Sequence, residues 1–193
     1  GDRRRIAARA RDARIALTLE RALARYGLLL LQDKKLPSAV GIITGEVVSG
    51  SWWSHPRAHE IFREIEKLDD VVTAKLIGGK VTFVHRRLVP ALAAVGRARE
   101  QWQMRGLSPA ARKILARVDR EGSVRASGAA AKELQLRLLV NAHEEHTESG
   151  RHETVLDRWW PGELAAEEGR LQLEDAATAM GATVGTLPWH RLA

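Results

Sequence analysis

The first thirty residues carry the plainest periodic pattern. Ile6, Ala10, Ala13, Leu17 and Ala24, reinforced by Leu19 and Leu23, recur at three- and four-residue steps. Ala, Leu and Arg are strong helix formers, so residues 2–31 read as helix, with Gly27 as a point of breakage or close packing. Gln32 to Lys35 reads as a loop, and Pro37 stands near the first turn of the next element. Residues 38–49 are rich in β-branched side chains, but Val40, Ile43 and Val47 share one helical face, which favours helix. A turn over Ser49 to Pro56 leads into a helix whose apolar positions are Ile61, Phe62, Ile65 and Leu68, ending near Asp69-Asp70. Two alternating runs follow, Val71 to Ile77 and Lys80 to His85, separated by Gly78-Gly79, which can take the positive φ of a tight turn. They predict a hairpin.

The second half repeats this order more weakly. Residues 86–104 predict a helix with Leu88, Leu92, Val95 and Trp102 inward and Gly96 as a possible division. Ser108-Pro109 starts another, since Ser caps and Pro suits the first helical position; it ends at Glu121 to Ser123. Val124 to Gly128 reads as a minimal strand and turn, and Ala129 to Val140 as helix. Asn141 to Gly150 is a polar loop or second hairpin lacking strand propensity, and Arg151 to Trp160 reads as helix ending at Pro161-Gly162. Glu163 to Met180 predicts a further helix, broken or not at Gly169, and Trp189 ties down the tail or stays exposed as a docking residue.

The expected fold class is mainly α with small β-hairpins: a winged helix-turn-helix, two units in tandem, behind an N-terminal helix. The expected divisions are residues 1–35, a basic helix; 36–106, a first winged-helix unit with a linker helix; and 107–193, a second such unit with C-terminal helices. The chain resembles bacterial winged-helix proteins, most closely over Ser49 to His85 and His143 to Trp159. That resemblance implies DNA binding in the cytoplasm. In outline the chain is also similar to tandem winged-helix DNA glycosylases, which use a Gln-x-Gln motif; this chain contains Gln101-Trp102-Gln103, in a different setting. The resemblance concerns architecture and assigns no role to any residue.

Composition narrows the chemistry. The 193 residues include no Cys, which excludes thiol catalysis, disulfides and cysteine metal sites. No apolar run approaches a membrane span, and no secretory signal is visible. P-loop, dinucleotide-binding and nucleophile-elbow motifs are absent from the sequence. The net charge is +7, distributed as +6 over residues 1–35, +3 over 36–106 and −2 over 107–193. A basic first half attracts polyanions.

The expected nucleic-acid contacts follow from that charge. Arg5 and Arg9 lie on the first helix. Ser51, Trp53 and His55 stand in the turn before the second helix of the pair, where a base can stack and a hydroxyl or imidazole can meet phosphate. Arg57, Arg63 and Lys67 lie on that helix, interleaved with Glu60, Glu64 and Glu66, and Lys80, Arg86 and Arg87 bracket the hairpin. The ribbon is expected to stand beside the helix with these cations turned outward. His55 and His59 have a helical metal-ligand spacing without a glutamate between them, and the polar cluster His143 to Glu153 matches no metal signature. No catalytic residue, metal or cofactor is therefore assigned. Duplex DNA is the expected partner. The alternatives are a protein-interaction or scaffold module, with a protein partner or a homo-oligomer, and a glycosylase-like repair enzyme.

Overall fold

The structure, a computed structural model of the chain, describes residues 2–47 and 55–193. The expected sites Ser51 and Trp53 lie outside these residues. The chain is mixed α/β, with two small three-stranded antiparallel sheets.

The first half runs α1 (Asp2–Tyr26), β1 (Leu28–Leu30), α2 (Ala39–Thr44), α3 (Ala58–Glu66), β2 (Val72–Lys75) and β3 (Val81–Val84). The first helix is shorter than expected. Gly27, at φ 79°, closes it with an N–H bond to the Leu23 carbonyl. Leu28 to Leu30 then pair with Thr82 to Val84. Four successive leucines suit a strand buried on both faces, and here both faces are buried. Leu28, Leu30 and Val84 enter one core; Leu29, Leu31 and Phe83 enter another, with α1, α2 and α3. The expected apolar stripe on α1 is also corrected. Ile15, Leu19 and Leu23 are the buried residues, while Ile6 and Leu17 are 63% and 47% exposed on another face.

The β2–β3 hairpin forms as expected, with Lys80 N–H donating to the Ile77 carbonyl across Gly78-Gly79, both at positive φ. Its setting differs from a free wing. The sheet is the middle layer between the two cores, and its tip meets the C-terminal segment, Gly78 N–H donating to the Thr186 carbonyl at 2.9 Å.

Residues 86–104 form a single-turn 3₁₀ helix (Arg86–Leu88), α4 (Val89–Arg97) and α5 (Gln101–Met104). The division falls at Arg99, φ 51°, not at Gly96. Gly96 lies within α4, and the Trp159 indole occupies the space a side chain would need: an added Cβ would sit 2.2 Å from Trp159 Nε1. Next come α6 (Pro109–Glu121), β4 (Ser123–Arg125), α7 (Ala129–Leu136), β5 (Asn141–His146) and β6 (His152–Asp157). The Ser108 hydroxyl caps α6 as expected, accepting from Ala111 N–H.

Residues 152–157 are a strand, not the expected helix. Val155 and Leu156 are buried, and β6 is the central strand between β4 and β5. Glu145 and Glu153 lie directly opposite, a like-charge pairing that would weaken the hairpin. Arg125 on β4 bridges both carboxylates, at 3.1 and 3.3 Å. The strand is therefore set by tertiary pairing that local propensity does not report.

Two final helices, α8 (Ala166–Ala179) and α9 (Pro188–Arg191), close the fold. Gly169 does not break α8; it lets α8 approach α4, with Ala91 O only 2.7 Å from where a Cβ would stand. Trp102, Trp159 and Trp189 are buried in the core that also holds Leu28, Leu92, Leu138 and Leu173, so one apolar cluster joins both halves of the chain. Trp189 folds back onto the body, its indole N–H donating to Glu174 Oε1 at 2.8 Å. Among the described residues no helix is long and apolar enough to cross a membrane.

Candidate nucleic-acid interface

The most basic surface is the first half of α1. Every side chain from Asp2 to Arg11 is exposed, a stretch of about 15 Å at helical rise. Arg3, Arg4 and Arg5 follow at successive 100° steps, so their guanidinium groups fan around the helix, and Arg9, Arg11 and Arg14 continue the series. Only Asp2 and Asp12 oppose them there. Arg11 reaches the neighbouring helix and pairs with Glu60 at 3.3 Å, which ties the basic stretch to the start of α3.

Helix α3 buries Ala58, Ile61, Glu64 and Ile65 and turns His59, Arg63, Glu66 and Lys67 outward. Arg63 and Lys67 thus share its outer face, as expected. Lys67 is drawn to Glu64 at 2.6 Å and Arg57 to Glu60 at 3.2 Å, so both cations are partly neutralised within their own helix. His55 does not present its ring to solvent. It is 9% exposed, its Nε2 lies 2.6 Å from Glu46 Oε2 and its Nδ1 accepts from Arg57 N–H.

The hairpin cations are committed to the fold in the same manner. Lys80 Nζ lies 2.9 Å from Asp33 Oδ2. Burial opposes ionisation of Asp33, but the N–H groups of Leu36 and Lys35 and the Lys80 ammonium together hold its pKa below the ordinary value. Arg87 donates to the Ala24 carbonyl at the end of α1, satisfying a helix-terminal acceptor. Arg86 is exposed but points to a different region, a cleft of about 1190 Å³ between β2 and β5 that Lys75, Glu66 and His146 also line. The expected set therefore splits. Arg5, Arg9 and Arg63 lie on the exposed α1–α3 side, His55 is buried, and Lys80 and Arg87, though exposed, are each held by a partner within the fold.

Gln101 and Gln103 are absent from that cleft's lining. Gln103 is fully buried: its Oε1 accepts from Glu100 N–H, and its Nε2 donates to the carbonyls of Gly96 and Arg137. It is a structural staple between α4, α5 and α7.

The polar cluster of the second half lies on the β5–β6 hairpin. On one face His143 contacts Asp157 at 2.9 Å and Glu145 at 3.3 Å, beside Arg125. On the other, Thr154 donates to Glu144 at 2.7 Å. No group of three or more metal-ligating side chains converges among the described residues. Arg3, Arg4, Arg11 and Arg14, which share this exposed stretch, were not among the expected residues; their signal in the sequence was the arginine density of α1 itself. Neither a family model, nor a curated protein, nor a solved structure matches the chain.

Proposed function

We propose that the protein binds duplex DNA, and that the first half is a winged helix-turn-helix whose contact surface is α1 together with the outer face of α3. The reading rests on one observation: six exposed arginines between Asp2 and Arg14 of α1, opposed by two aspartates. The order α1-β1-α2-α3-β2-β3 and the sheet order β1-β3-β2 agree with a winged-helix plan. A helix about 10–12 Å across fits a major groove of about 12 Å, where phosphates line both walls. Arginines fanned around the helix suit such a groove better than a one-sided stripe does. The hairpin is left out of this contact, because its tip meets the C-terminal segment and the exposed Lys80 is paired with Asp33.

The test is fluorescence anisotropy with duplex DNA, single-stranded DNA and RNA of one length over a salt series. Duplex affinity that falls steeply with salt supports the reading. Equal or tighter binding to single strands moves it to another nucleic acid, and no binding to any of the three at low salt overturns it. The rival reading, a protein-interaction module, draws on exposed Ile6 and Leu17, which share a face of the same helix. A stable oligomer whose formation requires these two side chains, with no nucleic-acid affinity, would establish that rival.

A further inference from the structure

The β5–β6 hairpin holds a second feature, independent of α1. His146 and His152 are directly opposed in the register, one residue before the turn. Thr147 N–H donates to the Arg151 carbonyl at 2.9 Å, which makes 147 and 151 the hydrogen-bonded pair. The adjacent pair, 146 and 152, is then of the non-hydrogen-bonded kind, in which opposed side chains stand closest. Their ring centroids are 4.3 Å apart, edge to face. Neither imidazole has a hydrogen bond to a described residue, unlike His143 on the opposite face, which is held between Asp157 and Glu145.

A third group reaches the same place from another element. Glu66, at the end of α3, lines the same cleft between the two halves as His146 and Glu144. Two imidazoles this close on adjacent strands are donors suited to a borderline divalent ion, and a carboxylate in the same cleft can offset its charge.

We propose that His146 and His152 form a two-imidazole site for a divalent transition metal, zinc being the ion for which imidazole and carboxylate donors are suited, with Glu66 as the neighbouring anion from α3. Water completes the coordination, since the protein supplies fewer than three converging ligands. A bound ion would link the tip of the second hairpin to α3 across the cleft and so restrain the two halves relative to each other.

The test is isothermal titration of the untagged, chelator-treated chain with Zn²⁺, alongside His146→Ala, His152→Ala, His143→Ala and Glu66→Gln. One equivalent is expected to bind the parent chain and the His143→Ala variant. Loss of either of His146 or His152 should weaken binding by about tenfold or more, since even outer-shell changes cost about 10–100-fold. Glu66→Gln should weaken it less. Far-UV circular dichroism of each variant confirms folding, and Cu²⁺ electron paramagnetic resonance should show hyperfine coupling to two nitrogens, reduced to one in either single variant. Zn²⁺ binding unchanged in both His146→Ala and His152→Ala, or no binding by the parent chain, overturns the proposal. Neither result bears on DNA affinity, which is read separately on α1.

Discussion

Replacing Gly96 by Ala tests how the two halves are joined. An Ala Cβ at this position would lie 2.2 Å from Trp159 Nε1, 2.4 Å from Cδ1 and 2.6 Å from Cε2. Ordinary carbon contacts lie at about 3.5–4.0 Å, so the indole must retreat by more than about 1 Å. It cannot do so freely, because Trp159 is buried and its N–H donates to the Leu138 carbonyl at 2.7 Å. Overpacking a core costs about 1–3 kcal/mol. A buried carbonyl left without its donor costs about another 1–3 kcal/mol. Ala returns about 1 kcal/mol through helix propensity. The net expectation is a loss of about 2–4 kcal/mol, or about 5–15 °C in thermal midpoint for a chain of this size. Denaturant titration followed by tryptophan fluorescence measures it. Gly122→Ala is the control, since its Cβ meets nothing within 4 Å and only the φ of 82° is strained, at about 1–2 kcal/mol. In a Trp159→Phe background the Gly96→Ala cost should shrink, because the clashing ring is gone. A Gly96→Ala protein within about 0.5 kcal/mol of the parent would refute this packing.

Three further outcomes follow from the same geometry. Trp189→Ala should cost about 3–5 kcal/mol, because it empties a core position and frees the tail, and limited proteolysis should then cleave near the C-terminus. Deleting residues 2–10 should leave the thermal midpoint within about 2 °C, since Ile15 is the first buried side chain of α1 and surface changes stay within about 0.5 kcal/mol. His85 supplies a pH dependence. Burial, then Arg87 and Arg86, hold its pKa below the ordinary 6.5, and its neutral Nδ1 accepts from Arg87 N–H. A depressed imidazole pKa adds stability that is present above 6.5 and is lost as pH falls through the folded value. Thermal melts from pH 7.5 downward should show this loss, and His85→Asn should flatten it; an unchanged profile would remove His85 from the account.

Much of the architecture was legible where one physical signal dominated. Ser108-Pro109 announced α6, and Gly78-Gly79 announced the first hairpin, because caps and tight turns are local chemistry. Residues 28–31 and 152–157 misread as helix for one shared reason. Their strands exist through pairing with β3 and with β4 and β5, residues far away in the chain. The sequence left Gly96 and Gly169 open as breaks, but each is a close approach in a continuous helix, a role set by Trp159 and Ala91. The cationic set divided for the same reason. Arg5, Arg9 and Arg63 are seen as exposed from helical spacing alone, whereas the commitment of Lys80 to Asp33 spans 47 residues and leaves no local trace.

Duplex affinity of an arginine-to-glutamine series measures the central claim most directly. Arg3, Arg4, Arg5, Arg9 and Arg14 replaced together by Gln remove five charges from α1 and spare Arg11, which is paired with Glu60. If each meets a phosphate, the slope of log affinity against log salt should fall by about 4–5, with duplex binding largely lost at 0.15 M salt. Lys80→Ala combined with Arg87→Ala should leave that slope within about one unit of the parent, since each of these exposed cations is already held by a partner within the fold. An unchanged slope in the five-arginine variant, or a larger loss in the Lys80–Arg87 pair, would contradict the account.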